Sequence, residues 1–117
     1  MKTILIVEDT DINIDLITQL LEDEYDLLIA RDGEQGVDMA SEHHPDLILM
    51  DISLPVMDGY EATHQIRQIL PFTPILGLSA HAMANEEQKA RQAGCNDYLT
   101  KPVDEEILIQ KIKEYLE

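Results

Sequence analysis

The feature that most constrains this chain is a set of short apolar runs, each stopping at a charged or hydroxyl residue. Ile4-Leu-Ile-Val7 ends in Glu8-Asp9, Leu47-Ile-Leu-Met50 in Asp51, Ile75-Leu-Gly-Leu78 in Ser79, and Tyr98-Leu-Thr100 in Lys101. A fifth strand-like run, residues 26–30, lies between the first two. Runs 4–7, 47–50 and 75–79 are almost uninterruptedly apolar, the pattern of parallel strands covered on both faces. Helix-length segments separate the runs, so strand and helix alternate five times. That alternation specifies an α/β fold: a doubly wound five-stranded parallel sheet inside a three-layer, flavodoxin-like sandwich with five helices. The expected strand order is 2-1-3-4-5, with its switch point between strands 1 and 3. Glu8, Asp9 and Asp51 then lie side by side at the crevice where ligands bind.

The helical segments have recognisable ends. Asp11 is expected to cap the first helix, whose Ile12, Leu16 and Leu20, with Ile17 and Leu21, share one face. The second starts near Gly33 and carries Val37 and Ala40, with Gly36 allowing close approach to the sheet, and His43-His44 at its end. The third runs from about Gly59 to Leu70, turns Ala62, Ile66 and Ile69 inward, and is stopped by Pro71. The fourth, about 83–93, ends at Gly94. The fifth opens at Asp104-Glu105-Glu106, where acids suit the helix dipole, and buries Leu108, Ile112 and Leu116.

Composition narrows the function. At 117 residues the chain reads as a single domain, residues 1–117, with one sizeable core. No run approaches the roughly 18 apolar residues of a membrane span, so no membrane insertion is expected. The N-terminus enters a strand pattern directly, without a signal-peptide pattern, and the single Cys95 cannot form an internal disulfide. Both fit a cytoplasmic location. With 24 acidic and 8 basic residues the net charge is −16, which repels a phosphate backbone and argues against nucleic-acid binding. Such a surface suits a protein partner with a basic docking face.

The residues at the strand ends carry the chemistry. Like charges about 4 Å apart repel by roughly 4 kcal/mol at an effective dielectric of 20. Three clustered carboxylates therefore call for a hard divalent cation such as Mg²⁺. The Ser79 hydroxyl and the Lys101 ammonium then call for an anion on the metal's far side. Together they describe a site for phosphoryl transfer to a carboxylate, with Asp51 as nucleophile and phosphoacceptor.

The same residues fit a family. Glu8-Asp9, then Asp51-Ile-Ser-Leu-Pro55-Val-Met-Asp58-Gly59, then Ser79-Ala80, then Tyr98-Leu-Thr-Lys101-Pro102, in this order and spacing, resemble the receiver domain of bacterial two-component response regulators. The likeness runs from Ile4 to Leu116 and includes the fold of the single-domain chemotaxis regulator. The stretch from His81 to Pro102 is most similar to receivers of hybrid kinases and phosphorelays. The resemblance implies direct Mg²⁺ ligation by Asp9 and Asp51, ligation by Glu8 mostly through water, and completion by the Ser53 backbone carbonyl. It implies that Lys101 pairs with the phosphoryl oxygens across a cis Lys101–Pro102 bond, and that Ser79 donates to them. It further implies that Tyr98 changes rotamer as Ser79 moves, reshaping the strand 4–helix 4–strand 5 face for a downstream protein target. The phosphodonor would be a sensor histidine kinase or a histidine phosphotransfer protein. Pro55, Asp58 and Gly59 shape the loop after strand 3, Ala80 keeps the site open, and His81 flanks it in a position to tune dephosphorylation.

Other readings compete on specific residues. A phosphatase with an aspartyl-phosphate intermediate wants a second acid two positions after the nucleophile, where Ser53 stands. A flavin carrier of this topology wants a phosphate-donating loop after strand 1, where Glu8-Asp-Thr-Asp11 would repel the phosphate. A docking module that has lost phosphorylation would not need the intact Glu8, Asp9, Asp51, Ser79 and Lys101. An excised hybrid-kinase receiver acting as a phosphorelay intermediate keeps the same chemistry.

Overall fold

Alternate residues of β1 (Thr3–Val7) serve two different cores, and the architecture follows from that division. Side chains of a strand point alternately to opposite faces. Leu5 and Val7 join one buried cluster, whereas Ile4 and Ile6 join the other. The structure, a computed structural model, describes residues 1–54, 57–79 and 84–117. After β1 come α1 (Asp11–Leu21), β2 (Asp26–Ala30), α2 (Gly33–His43), β3 (Leu47–Asp51) and α3 (Gly59–Ile69). They are followed by β4 (Ile75–Ser79), α4 (Ala84–Ala93), β5 (Asp97–Thr100) and α5 (Glu105–Leu116). All strand pairs are parallel and the order is β2-β1-β3-β4-β5, as the alternation of patterns predicts.

One layer holds α2, α3 and α4, whose Ala40, Ala62, Ile66 and Ala90 are buried with Leu5, Val7, Ile48 and Met50. The opposite layer holds α1 and α5, whose Ile17, Leu21, Leu108 and Ile112 are buried with Ile4, Ile6, Leu49, Leu76 and Leu78. Each fully buried Leu or Ile contributes about 1.5–3 kcal/mol relative to exposure, so the sheet is the stable part of the molecule. Small residues set the spacing of the layers. A Cβ on Gly36 would meet both methyl groups of Val7 at 3.0 Å. On Gly59 it would strike the backbone of Asp51 and Ile52, and the Gly59 N–H donates to the Ile52 carbonyl at 2.9 Å. Helix α3 thus begins pressed against the strand end that carries Asp51.

Helix ends are capped by Asp32, Asp58 and Asp104, which accept from the amides of Gln35, Glu61 and both Glu106 and Ile107 respectively. Three expectations need correction. Thr10, not Asp11, occupies the N-cap of α1, and its side chain makes no cap bond. Asp11 is the first helical residue, and its carboxylate accepts from Arg31 Nη1 at 2.6 Å in an exposed pair. The apolar face of α1 is also rotated from the one expected. Ile14, Ile17 and Leu21 are buried, while Ile12 is 77% and Leu16 39% exposed. A helix meets the sheet along one narrow line at spacing i, i+3, i+7, and the wider apolar stripe of this sequence overflows it. Ile69 likewise closes α3 in a 40% exposed position, and the next residue, Leu70, is buried in the core in its stead. Pro55, Ala80, His81 and Met83, with the expectations attached to them, lie outside the described residues.

The α3 end is tied to the far loops by Arg67, which donates to the carbonyls of Gly94, Leu70 and Thr73 and to Asn96 Oδ1. Gly94, with φ of 123°, presses its Cα hydrogens against the aliphatic part of Arg67. A Gly94→Ala variant meets both an unfavourable φ and a clash with Arg67, so it should lose about 1–3 kcal/mol in urea unfolding. Unchanged stability would show that this turn relaxes freely.

Candidate functional site

Parallel strands deliver their C-terminal residues to one edge of the sheet, and β1, β3, β4 and β5 deliver Glu8, Asp9, Asp51, Ser79 and Lys101. Oxygens of Glu8, Asp9 and Asp51 lie within 4.8 Å of one another, forming among the described residues a single acidic group able to hold a metal. The burial is uneven. Glu8 is fully buried and Asp51 nearly so, while Asp9 is exposed. The edge is therefore a pocket walled by carboxylates and open through Asp9.

Lys101 reaches back across the sheet edge. Its Nζ donates to Glu8 Oε1 at 2.8 Å and lies 3.2 Å from Asp51 Oδ2. Asn13, in the first turn of α1, donates from Nδ2 to the same Glu8 Oε1 at 2.6 Å. The Asp9 amide donates to Glu8 Oε2 at 3.2 Å, and the Ser53 amide donates to Asp51 Oδ1 at 3.0 Å. Glu8 thus accepts from the Asp9 amide, Asn13 and Lys101, where Asp51 accepts the Ser53 amide, shares the Lys101 cation and is itself hydrogen-bonded to Glu8. The sequence signal for Asn13 was its place five residues after Glu8, in the first turn of α1. The Lys101–Pro102 bond is cis.

The unequal donor supply sets the charge state. Burial, then hydrogen bonding to Glu8 and its charge, push the Asp51 carboxyl up to about 7, against the opposing pull of Lys101 and the Ser53 amide. Burial also acts on Glu8, but hydrogen bonds with Asp51, Lys101 and Asn13 and the Lys101 charge hold it below the usual carboxylate range. Lys101 loses charge stability to burial and more than regains it from Glu8 and Asp51, which raise it. Without a metal, the proton that relieves the repulsion sits on Asp51. An oxygen-only donor set with surplus negative charge, of which Asp51 is the least satisfied member, fits a hard divalent cation such as Mg²⁺.

Two further predicted residues, Ser79 and Tyr98, lie on β4 and β5. Ser79, fully buried at the end of β4, accepts the Lys101 amide on its backbone carbonyl at 2.6 Å. Tyr98 pairs in register with Gly77 and packs, half-buried, against the α2–α3–α4 core, its ring edge near the Gly77 backbone beside Cys95. Cys95 is buried and its thiol is pushed up to about 11, mainly by burial, which makes it inert. A contact not foreseen joins α3 to α4: the Tyr60 hydroxyl donates to Glu86 Oε2 at 2.7 Å. Sequence spacing gives no hint of it, since the partners are 26 residues apart.

A buried edge pocket of acids and one lysine on this doubly wound sheet defines a response regulator receiver. The chain belongs to that family: the response regulator receiver domain model matches residues 4–113. It is 41% identical to the polar-differentiation response regulator DivK of Brucella ovis over 118 residues, covering 98% of this chain and 96% of that one. Among solved structures it resembles the receiver domain of a sensor histidine kinase from Pseudomonas aeruginosa PAO1, which has a magnesium ion coordinated in its active-site cleft. That likeness has a TM-score of 0.91 and 37% identity over 98% of this chain and 97% of the other. It also resembles a chain in the co-crystal structure of the Saccharomyces cerevisiae histidine phosphotransfer protein Ypd1 with the receiver domain of Ssk1. There the TM-score is 0.90 and the identity 35%, over 97% of this chain and 88% of the other.

The sign of the stability effect follows from the raised Asp51 pKa. A group harder to ionise in the folded state costs stability as pH rises from its unfolded value, near 4, through about 7. Asp51→Asn should therefore make the metal-free protein more stable at pH 8, by on the order of 2 kcal/mol in urea unfolding with chelator present. The gain should vanish near pH 4, and a gain independent of pH would place the proton elsewhere.

Proposed function

We propose that this chain, residues 1–117, is a receiver that works as a phosphorylation-dependent switch, with Asp51 as phosphoacceptor. The observation that carries the proposal is the juxtaposition of a nearly buried Asp51 with two further carboxylates and Lys101 at 3.2 Å. The donor would be the phosphohistidine of a sensor histidine kinase or a histidine phosphotransfer protein. An ionised Asp51 oxygen forms the new P–O bond, the P–N bond breaks, and its electron pair stays on the ring nitrogen of the leaving imidazole. Lys101 is placed to follow the transferred oxygens, and the Ser79 hydroxyl to donate to one of them. Asp9 and Asp51, the Ser53 carbonyl, and Glu8 through water would hold Mg²⁺, which when bound neutralises charge building on the phosphoryl oxygens.

The readout would run through α4. Its only fully buried residue among those described is Ala90, so packing anchors it weakly. A small shift of Ser79 and Tyr98 can then bias a pre-existing equilibrium of the β4–α4–β5 face and so select a downstream protein target. The exposed Ile12 and Leu16 beside the pocket, on an acidic surface, suit a phosphodonor with an apolar, basic-rimmed docking face. The solved complex of a receiver with a phosphotransfer protein supports this partner class. A net charge of −16 speaks against nucleic acid. No helix among the described residues is long and apolar enough to cross a membrane, and a cytoplasmic location suits these partners. A second reading, a receiver that relays phosphate onward from a hybrid kinase, is favoured by the 37% identity to a sensor-kinase receiver.

Acetyl phosphate with Mg²⁺ should add one phosphoryl group to the wild type, seen by intact mass, and none to Asp51→Asn. Labelling of the variant at the wild-type level would reject Asp51 as acceptor. Mg²⁺ should also raise the Tm of the wild type by several degrees and that of Asp9→Ala by much less, because the ion binds the folded state and relieves its repulsion. Equal shifts would dissolve the proposed cluster.

A further inference from the structure

Glu8 Oε1 is the most crowded acceptor at the sheet edge, and the crowding has a use. It receives Lys101 Nζ at 2.8 Å and Asn13 Nδ2 at 2.6 Å, and the residue has no exposed surface. Lys101 also lies 3.2 Å from Asp51 Oδ2, so one ammonium is divided between two acids. If Asp51 accepts a phosphoryl group, the lysine must turn toward oxygens beyond Asp51. A buried carboxylate stripped of its partners resists that turn, because leaving it unsatisfied costs its full desolvation.

We infer that Asn13 is a positioning residue for phosphoryl acceptance: it is the donor that stays on Glu8 and so lets Lys101 leave for the phosphoryl group. The inference rests on Asp51 being the acceptor. Asn13 suits the task because its amide is neutral. It satisfies Glu8 without adding a second positive charge that would compete with Lys101 for the incoming anion, and without a proton that could be lost. Its place in the first turn of α1, a helix held to the sheet by Ile14, Ile17 and Leu21, fixes the amide relative to Glu8. The Asp9 amide, on Glu8 Oε2, holds the other oxygen and cannot take over this one.

The test is a double-mutant cycle of Asn13→Leu with Glu8→Gln, scored by acetyl phosphate labelling rate and by melts of the metal-free proteins. Asn13→Leu, similar in size but without a donor, should label about tenfold more slowly than wild type. Asn13→Gln, which keeps the amide, should recover to within about threefold. In the Glu8→Gln background, where only Asp51 is left to hold Lys101, Asn13→Leu should change the rate less than about twofold. Without metal, the same substitution should lower Tm by a few degrees beside Glu8 and by under a degree beside Gln. A wild-type rate in Asn13→Leu, failure of Asn13→Gln to recover, or an undiminished loss in the Glu8→Gln background would each overturn the inference. Failure of the wild type to label at all would instead remove Asp51 as acceptor, a distinct outcome. If Asn13→Leu does not fold, Asn13→Ala takes its place in the cycle with the same expected ratios.

Discussion

Everything at the functional edge depends on one electrostatic imbalance: three carboxylates and one ammonium share a space in which oxygens approach within 4.8 Å. At that range unscreened like charges would cost several kcal/mol, a large part of a domain's total stability. The molecule relieves the strain unequally. Glu8 is given three donors and keeps its charge, whereas Asp51 is given fewer and takes up a proton. The acid left least satisfied is the one that a bound cation would relieve most.

The rest of the fold holds that imbalance in place. Ile4, Ile6, Leu49 and Met50 have no exposed surface, so β1 and β3 cannot retreat to separate the acids they carry. Gly59 brings the start of α3 onto the backbone of Asp51, and the Lys101 amide bonds the Ser79 carbonyl, joining β5 to β4 at the rim. The sheet fixes the charges, and beside it α4 has Ala90 as its one fully buried residue among those described. The Tyr60–Glu86 hydrogen bond ties that helix to α3, whose first residue, Gly59, lies against the Asp51 backbone.

Much of this was legible in the residues. Continuous apolar runs 4–7, 47–50 and 75–79 specify buried parallel strands, and once the strands are parallel their polar end residues must share an edge. Glu8, Asp9, Asp51, Ser79 and Lys101 follow from that alone. The rotation of α1 was not legible, because Ile12, Ile14, Leu16 and Ile17 offer two overlapping stripes and only the sheet's width chooses between them. Nor were the partners of Glu8, Arg67 and Glu86, since long side chains find acceptors by distance rather than by periodicity. Asn13 stood five residues after Glu8, yet spacing across a strand–helix junction does not tell which oxygen an amide will reach.

The most direct measurement is a carbon-13 NMR titration of the Asp51 carboxyl, with and without Mg²⁺. The expected result is a midpoint near 7 in metal-free protein, falling well into the ordinary carboxylate range once Mg²⁺ is added. A midpoint near 4 that Mg²⁺ does not move would contradict the charge imbalance, and with it the identification of this edge as the reactive one.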